Sequence, residues 1–322
     1  MIDSAMQVKV MLIAVCLGLL IALEVGLRIL YGFGNPLIYI GDTSIGYLLA
    51  PKQRTRRNGN YIEINEYSMR GAPVQKTPQE KTTRVFLLGD SIANGGWWTD
   101  QKNTISNLIM QSLTSTELSA EVLNASANSW GPRNELAYLE KFGTFSAQAI
   151  VLLINTDDLF ATAPTSLPVG REKNYPDKKP PLALVEVYQR YVQKSKPIPE
   201  LEIVRQEGGD RVGINLEAIA KIQDIATQNN SKFILAMTPL KRELGKPSRD
   251  YEIKARARLD EFTKAKLINY IDFLPLFNGR QDFDTLYHDH IHLNLQGNKF
   301  VSEVIKQSLL EVLEQKSSYI LQ

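Results

Sequence analysis

The chain begins with a long apolar segment. No charged residue occurs between Val10 and Leu23, and the apolar character continues to Leu30 around only two charged residues. A helix of about 20 such residues is long enough to cross the hydrocarbon core of a bilayer. The segment is apolar on every face, and no A-x-A-like cleavage site follows it. We therefore predict a transmembrane anchor over residues 8–31 in preference to a cleaved signal peptide or a buried core helix.

Beyond the anchor, short apolar runs alternate with segments of helical spacing. Strands that alternate with helices form a parallel sheet covered by helices on both faces, so the pattern predicts an α/β domain over residues 82–315. The predicted strands are Arg84–Leu88, Glu121–Asn124, Ala149–Ile154, Phe233–Met237 and Leu267–Ile271, and the predicted helices are Thr104–Leu113, Asn134–Phe142, Asn215–Thr227, Arg249–Ala265 and Asn298–Leu313.

Two segments depart from this alternation. Residues 32–81, here called the neck, predict an irregular connection with short extended pieces such as Tyr61–Ile64. The Pro-rich stretch Ala163–Pro181 interrupts the domain and predicts an insert at about residues 159–213, with a helix near Tyr188–Val192. A long irregular segment inside a compact domain is more often a lid or binding loop than a linker.

Composition removes several classes of function. Lys and Arg number 37 and Asp and Glu number 35, so the net charge is +2. Nucleic-acid binding normally needs a clustered basic excess, and we expect none here. The single cysteine, Cys16, excludes an internal disulfide and a Cys-based zinc site.

The orientation in the membrane is not fixed by charge. Lys52 and Arg54–Arg57 form a basic group behind the anchor, which we read as a solvated basic loop. Taken literally, the positive-inside rule would place the body of the protein in the cytoplasm. The group begins more than 20 residues past Leu30, where the rule loses force. We therefore argue the topology from function.

Residues that can carry chemistry occur at two distant places. The first predicted strand runs into Gly89-Asp90-Ser91, where the serine could either cap the next helix or present its hydroxyl. Before the last helix, Asp289 and His292 are three residues apart, close enough on a turn for the carboxylate to hold the imidazole. The other imidazole nitrogen could then take a proton from Ser91, which is the logic of serine hydrolases.

Two other groups have alternative interpretations. His288, His290 and His292 alternate along the chain and would form a metal cluster if the segment were extended. Because the serine-centred interpretation already explains His292, we expect no metal and no cofactor. Trp97 and Trp98 could stack on a sugar, but packing against the first helix is the simpler expectation.

These motifs resemble the SGNH/GDSL esterase superfamily. The resemblance rests on strand-GDS at Ser91, on the segment Asn124–Gly131 (NASANSWG), and on D-x-x-H-L-N from Asp289, and it covers roughly Arg84 to Val312. The anchor and neck resemble the membrane-anchored, stand-alone bacterial subgroup. The resemblance implies a three-layer, flavodoxin-like sandwich with a parallel sheet. It also implies a serine activated by the D-x-x-H pair.

The resemblance further implies three oxyanion donors, and two of them depart from the family pattern. The first is the N–H of Ser91. The second block of the family corresponds here to Asn124–Gly131; its glycine falls at Ser129, with Gly131 as the nearest glycine. The third block corresponds to Asn155–Asp158 (NTDD), where the family usually has an Asn-Asp pair. Aligning that pair on the final aspartate puts Asp157 in the donor position, where an ionised carboxylate would repel the oxyanion. If the chain stays extended, Asn155 lies on the same face and supplies the amide, which is the register that we favour.

The sequence thus predicts a single-pass membrane protein with a serine esterase or O-acyltransferase domain. The catalytic residues are Ser91, Asp289 and His292. The expected substrates are acyl esters, with O-acyl groups of envelope glycans or lipids as the candidates, and this places the domain on the extracytoplasmic side. Two alternatives stay open: an SGNH scaffold that binds glycan or assembles a membrane complex without turnover, and a metallohydrolase.

Overall fold

The computed structural model describes residues 4–115 and 119–318. Helix α1 (Ser4–Gly26) continues through one π-helical turn (Leu27–Tyr31), which gives a helix of 28 residues that contains an 18-residue stretch with a mean hydropathy of 2.7. Within the described residues it is the one helix long and apolar enough to cross a bilayer, a test that a signal sequence also passes. The long apolar helix predicted from the sequence is therefore present, and its length and composition are those of a membrane span.

The neck forms two antiparallel hairpins. The extended piece predicted at Tyr61–Ile64 is present as a strand, but the expectation that the rest of the neck is irregular was wrong. Each strand has only four or five residues, which is too short to reveal a clear alternation in the sequence. Buried side chains from both hairpins, such as Tyr47 and Ile62, belong to the same hydrophobic core as one face of the main sheet. The first hairpin consists of β1 (Tyr39–Asp42) and β2 (Gly46–Leu49), and the second of β3 (Gln53–Arg57) and β4 (Asn60–Ile64).

Five parallel strands form the central sheet. Their spatial order is the second, first, third, fourth and fifth in the chain, which is the order of flavodoxin-like folds. Each overlaps a strand predicted from the sequence, so the predicted parallel α/β sheet is confirmed. The strands are β5 (Thr83–Gly89), β6 (Ala120–Ser126), β7 (Ala149–Asn155), β8 (Lys232–Thr238) and β9 (Asn269–Asp272).

Helices cover both faces of the sheet and give three layers. Alternate residues of β5 point to opposite faces of the sheet. Val85 and Leu87 pack with the helices Ile105–Thr114, Phe273–Asn278 and Leu295–Ser318. Phe86 and Leu88 pack with the helices Pro132–Phe142, Arg211–Gln228 and Asp250–Ala265. The helices after α1 are α2 (Ser91–Asn94), α3 (Ile105–Thr114), α4 (Pro132–Phe142), α5 (Ala183–Tyr191), α6 (Pro199–Arg205), α7 (Arg211–Gln228), α8 (Asp250–Ala265), α9 (Phe273–Asn278) and α10 (Leu295–Ser318).

The insert carries α5 and α6 and contacts the apolar helix. Helix α5 begins five residues before the predicted Tyr188–Val192. Its first backbone N–H groups, those of Ala183 and Leu184, donate to the two carboxylate oxygens of Glu24 at 2.8 and 3.0 Å. A carboxylate at a helix N-terminus satisfies free N–H groups and interacts favourably with the helix dipole. The insert is therefore attached to α1 near its carboxyl-terminal end.

A buried arginine fixes the loop that follows α2. Arg70 is 1% exposed, and its guanidinium donates to the backbone carbonyls of Asn94, Gly96 and Thr99. Asn94 is the last residue of α2, and Gly96 and Thr99 lie in the loop that follows it, which also contains Trp97 and Trp98. Three charge-assisted hydrogen bonds replace the water that a buried guanidinium would otherwise need. Arg70 thus holds this loop in one conformation.

We predict that Arg70→Ala lowers the free energy of unfolding by about 3 kcal/mol, because it removes a buried charged donor and leaves carbonyl acceptors without a partner. Arg54→Ala is the matched control: Arg54 is 68% exposed and pairs with Glu63 on the neck surface. It should cost much less than Arg70→Ala, because water screens an exposed ion pair. Denaturant unfolding of the full chain in detergent micelles, followed by tryptophan fluorescence, measures both values. Equal losses in the two variants would contradict the role given to Arg70.

Candidate active site

The motif Gly89-Asp90-Ser91 lies where β5 ends. Gly89 packs so closely on β7 that a Cβ at this position would lie 2.6 Å from the carbonyl oxygen of Leu153, so only glycine fits. The Asp90 carboxylate then caps α2 by accepting from the Ile92 N–H at 2.8 Å. The helix is capped by the aspartate and not by the serine. The Ser91 hydroxyl is therefore left available for other contacts.

The second motif lies on the loop before α10. An isolated antiparallel bridge between Tyr287 and Leu293 closes this loop. One carboxylate oxygen of Asp289 accepts from the backbone N–H groups of Ile291 and His292 at 2.9 and 2.8 Å. The other oxygen lies 2.7 Å from His292 Nδ1. The loop thus orients the imidazole ring through its own aspartate.

A hydrogen-bonded chain links Asp289, His292 and Ser91. Burial opposes ionisation of Asp289, but hydrogen bonds from the His292 ring and from backbone N–H groups outweigh it and hold its pKa at about 2. The ionised carboxylate therefore accepts the Nδ1 proton, which leaves Nε2 to accept from the serine hydroxyl. His292 Nε2 lies 2.9 Å from Ser91 Oγ, whereas Asp90 Oδ2 lies 3.3 Å from it. This geometry suits removal of the serine proton by the imidazole.

The third-block residues separate at the end of β7. The chain does not stay extended after Asn155, as the sequence interpretation supposed, because Asn155 caps a 3₁₀ turn (Thr156–Phe160). The Asn155 amide nitrogen donates to Asp90 Oδ2 and to Asp158 Oδ2, both at 2.9 Å. Since Asp90 Oδ2 also contacts Ser91 Oγ, the amide reaches the serine through one shared carboxylate oxygen.

Asp157 lies at the surface beside this group. Its backbone N–H donates to Asn155 Oδ1 at 2.7 Å, and the residue is exposed, whereas Asn155 is 1% exposed. Partial burial of its carboxyl group raises the pKa of Asp157, and the nearby charges of Arg242 and His290 oppose that shift. Of the two residues that the sequence offered for the third donor, the structure places Asn155 beside the motif of Ser91.

Three buried carboxyl groups lie around the Asn155 amide and the start of α2. Asp90, Glu135 and Asp158 are 2%, 0% and 6% exposed. Burial raises the pKa of each, and the Asp90 charge adds to the shift at Glu135 and Asp158. Neither carboxyl oxygen of Glu135 has a hydrogen-bond partner among the described residues. The environment therefore favours the neutral forms of Glu135 and Asp158.

The sequence interpretation assigned no part of the site to these carboxyl groups. The contact of Asp158 with Asn155 depends on the 3₁₀ turn Thr156–Phe160, and the sequence of this segment does not predict such a turn. Glu135 lies in α4, where a glutamate in the first turn reads as an ordinary surface residue. Of these three residues, only Asp90 lies in a motif, Gly89-Asp90-Ser91, that the sequence alone connects with the site.

The second-block loop is held from two sides. Ser129 has a φ of +58°, the left-handed conformation that glycine adopts without strain. The hydroxyl of Tyr175, in the insert, donates to Ser129 Oγ at 3.0 Å. The hydroxyl of Tyr47, in the neck, donates to the Asn128 carbonyl at 2.6 Å. Neck and insert together support the conformation that serine adopts here in place of glycine.

Gly131, offered by the sequence as an alternative second-block donor, has another role. It is the N-cap of α4, and its N–H donates to Asn134 Oδ1 at 3.0 Å. Its N–H is therefore engaged in the cap of α4. Ser129 is the second-block residue that lines the same cavity as Ser91.

The cavity at Ser91 has a volume of about 320 Å³ and is enclosed partly by the neck and the insert. Trp97 lines it and is 40% exposed. The Trp98 ring lies 4.2 Å from the His292 ring, so the two tryptophans belong to the site and do not simply pack on the first helix. The lining residues are Asn35, Leu37, Tyr39, Thr55, Arg57 and Ile62 of the neck, Asn174, Tyr175 and Arg190 of the insert, and Ser91, Gly96, Trp97, Trp98, Asn128, Ser129 and His292.

The three histidines are placed differently. His292 contacts Asp289 and Ser91, whereas the His288 ring is stacked on the Trp98 ring with an interplanar angle of 6°. The His290 side chain is 87% exposed. Over residues 4–115 and 119–318, no group of three His, Cys, Asp or Glu residues is arranged to hold a metal ion.

Comparison with known families gives one match. The model of the GDSL-like lipase/acylhydrolase family matches residues 87–300, which is 214 of the 322 residues. The matched segment includes Ser91, Asn155, Asp289 and His292. No curated protein sequence matches the chain significantly.

Solved structures of bacterial esterases are similar to the chain. A GDSL-like lipase from Bacteroides thetaiotaomicron is 14% identical, with a TM-score of 0.45 over 73% of this chain and 92% of that one. A lipase/acylhydrolase from Enterococcus faecalis is 13% identical, with a TM-score of 0.45 over 70% and 95% of the two chains. An acetyl-xylooligosaccharide esterase from Geobacillus is 13% identical, with a TM-score of 0.47 over 72% and 95%.

Proposed function

We propose, for a chain that belongs to the GDSL-like lipase/acylhydrolase family, that Ser91 is the nucleophile of a membrane-anchored ester hydrolase or O-acyltransferase. The observation that carries the proposal is the chain of contacts from Asp289 to His292 at 2.7 Å and from His292 to Ser91 at 2.9 Å. Such a chain activates a hydroxyl that is a weak nucleophile on its own.

In the first half of the proposed reaction, Ser91 Oγ attacks the carbonyl carbon of the ester while its proton passes to His292 Nε2. Asp289 keeps the Nδ1 proton in place and stabilises the imidazolium. When the tetrahedral intermediate collapses, the C–O bond to the alcohol breaks and His292 returns the proton to the departing alkoxide. The products of this half are the free alcohol and an acyl ester on Ser91.

The developing oxyanion needs donors that are already in place. We assign them to the N–H groups of Ser91 and Ser129 and to the amide of Asn155. Both amide hydrogens of Asn155 have acceptors in the free site, one on Asp158 and one on Asp90. We assign the hydrogen on Asp90 to the oxyanion, so it exchanges Asp90 Oδ2 for the oxyanion when the ester is bound. The raised pKa values of Glu135 and Asp158 support this assignment, because neutral carboxyl groups repel an oxyanion less than ionised ones.

In the second half, an acceptor hydroxyl gives its proton to His292 and attacks the acyl carbon, and His292 then returns a proton to Ser91 Oγ. If the acceptor is water, the product is a carboxylic acid. If it is a sugar or lipid hydroxyl, the product is a new ester. The same residues serve both reactions, so the acceptor alone distinguishes hydrolase from transferase.

The position of the cavity supports a substrate at the membrane. Helix α5 begins on the carboxylate of Glu24 in α1, and its residue Arg190 lines the cavity. At about 1.5 Å per residue, the nine residues of α5 span about 13 Å. A cavity so close to a membrane span suits acyl groups on lipids or on glycans at the membrane surface. We place the domain on the extracytoplasmic side, where envelope glycans occur.

We predict that the full chain in detergent micelles hydrolyses short-chain p-nitrophenyl esters and that chelators do not affect the rate. Ser91→Ala and His292→Ala should each lower kcat by about 10⁴-fold or to the background rate, and the double variant should lose little more, since the pair acts as a unit. His290→Ala is the matched control and should retain the parental rate. Steady-state kinetics, with circular dichroism to verify folding, measures the parent chain and the four variants.

Two results would contradict this proposal. Full activity in a folded Ser91→Ala variant would exclude the serine mechanism. Loss of activity with chelator, or in His290→Ala as well as His292→Ala, would instead favour metal chemistry at the histidines.

The assignment of the third donor is tested by two substitutions at the end of β7. Asn155→Ala should lower kcat by about 10²–10³-fold with little change in KM, the usual loss for one oxyanion donor. Asp157→Asn serves as the matched control and should change kcat less than about twofold, because Asp157 is exposed and only its backbone N–H contacts Asn155.

The opposite result has its own meaning. If Asp157→Asn raises kcat and Asn155→Ala leaves it unchanged, Asp157 occupies the donor position. In that case burial raises the Asp157 pKa, and parental kcat should fall as pH rises through it, because only the protonated carboxyl donates a hydrogen bond.

A further inference from the structure

Two arginines and one glutamate form a buried cluster between neck and insert. One oxygen of Glu186 accepts from Arg57 Nη2 and from Arg190 Nε, the latter at 2.9 Å. The other oxygen accepts from the Gly34 N–H at 2.6 Å. The side chains of Arg57, Glu186 and Arg190 are 7%, 4% and 19% exposed. Two cations therefore share one carboxylate, and the cluster carries one positive charge in excess.

The excess charge lies on the catalytic cavity. Arg57 and Arg190 both line the cavity that holds Ser91 and His292, and no aspartate or glutamate is among the residues that line it. Glu186 is not among those residues; it lines an adjoining cavity of about 590 Å³, which Arg190 lines as well. Arg57 and Arg190, and not Glu186, are therefore the charged members of the cluster on the wall of the cavity that holds Ser91.

The Arg57 guanidinium has fewer hydrogen-bond partners than a buried guanidinium group normally has. Its Nη1 atom is buried and has no hydrogen-bond partner within the described residues. The Phe33 ring, 4.4 Å from the guanidinium carbon, covers a face of the group but accepts no conventional hydrogen bond. Burial lowers the pKa of Arg57 against the pull of Glu186, and the charge of Arg190 adds to that lowering. Arg57 shares its one carboxylate with a second cation, and such a buried excess of positive charge is costly unless a further anion pairs with it.

We propose that Arg57 and Arg190 bind an anionic group of the substrate, a carboxylate or a phosphate, while the scissile ester lies at Ser91. A simple acyl group is neutral, so the anion belongs to the alcohol portion of the ester. The inference rests on the proposed function and narrows its substrate to acidic glycans or anionic lipids. Guanidinium groups suit either anion, because their N–H groups pair with two oxygens at once.

A purely structural role does not account for both arginines. Glu186 alone would connect neck and insert through Gly34 and Arg57. Arg190 adds a second cation to a carboxylate that is already paired. The substitution Arg190→Gln therefore removes the excess charge and leaves the Arg57–Glu186 pair in place.

The test compares aryl acetates that share one acyl group. 4-Carboxyphenyl acetate carries a carboxylate, 4-acetoxyphenyl phosphate carries a phosphate, and 4-carbamoylphenyl acetate is neutral. The quantity measured is the ratio of kcat/KM for each anionic ester to that for the neutral ester, with the full chain in detergent micelles. Intrinsic differences in reactivity cancel when the same ratio is compared between parent and variant.

Arg190→Gln should lower the ratio for one anionic ester by about tenfold, mainly through KM, and should change kcat/KM for the neutral ester less than about twofold. The ester with the larger drop identifies the anion as carboxylate or phosphate. Arg190→Lys, which keeps the charge, should lose less than Arg190→Gln. Arg205→Gln is the matched control, because Arg205 lies in the same insert, is about half exposed and lines neither cavity. It should leave the ratio unchanged.

Binding provides a readout that does not need turnover. Calorimetric titration with 4-hydroxybenzoate and with inorganic phosphate should detect one of the two anions bound to the parent chain, with about tenfold weaker binding in Arg190→Gln. Equal ratios and equal affinities in parent and Arg190→Gln would overturn the inference, as would an equal loss in Arg205→Gln. These outcomes are separate from the proposed function, which fails if hydrolysis of the neutral ester does not require Ser91.

Discussion

The close contact of β5 with β7 determines where the parts of the site lie. Because these strands are neighbours and parallel, their carboxyl ends meet at one edge of the sheet, at the point where the strand order reverses. Gly89 allows the backbones to approach, and Asp90 and Asn155 then meet across the gap. Ser91 is thereby placed beside the third block of the family, and the His292 loop reaches it from the start of α10. Without this contact the proposed donors would not converge on the serine.

The same contact concentrates acidic groups behind the proposed nucleophile. Asp90 and Asp158 both hold the Asn155 amide, and Glu135 is buried nearby with no partner among the described residues. Their raised pKa values limit the negative charge in a region where an oxyanion would develop. Arg57 of the neck and Arg190 of the insert line the cavity and supply positive charge to it. The site therefore has low negative charge at its base and a surplus of positive charge on the wall formed by neck and insert.

The sequence predicted the features that depend on local pattern. Apolar runs gave the parallel strands, and Ser91, Asp289 and His292 were found because their motifs lie at strand and helix ends. Features that depend on long-range packing were not predictable. The neck strands are too short to show a period, and nothing near Arg57 reveals that Glu186, 129 residues away, pairs with it. The sequence therefore placed Arg57 in a solvated loop, whereas its side chain is buried.

The third block shows the same limit. Whether Asn155 or Asp157 faces the serine depends on where the chain leaves the strand direction, and a 3₁₀ turn begins at the next residue. Residue spacing alone assumes one backbone conformation, and the assumed extended conformation was the wrong one. Only the three-dimensional course of the chain separates the two residues.

The central claim is that Ser91 is an activated nucleophile, and covalent labelling tests it most directly. A fluorophosphonate reacts with a serine whose proton can be removed by a neighbouring base. Incubation of the full chain in detergent micelles, followed by intact-mass measurement and peptide mapping, should give one adduct per chain, located on Ser91. The adduct should be absent from Ser91→Ala and form much more slowly in His292→Ala. A folded chain that forms no adduct, or forms it on another residue, would contradict the account.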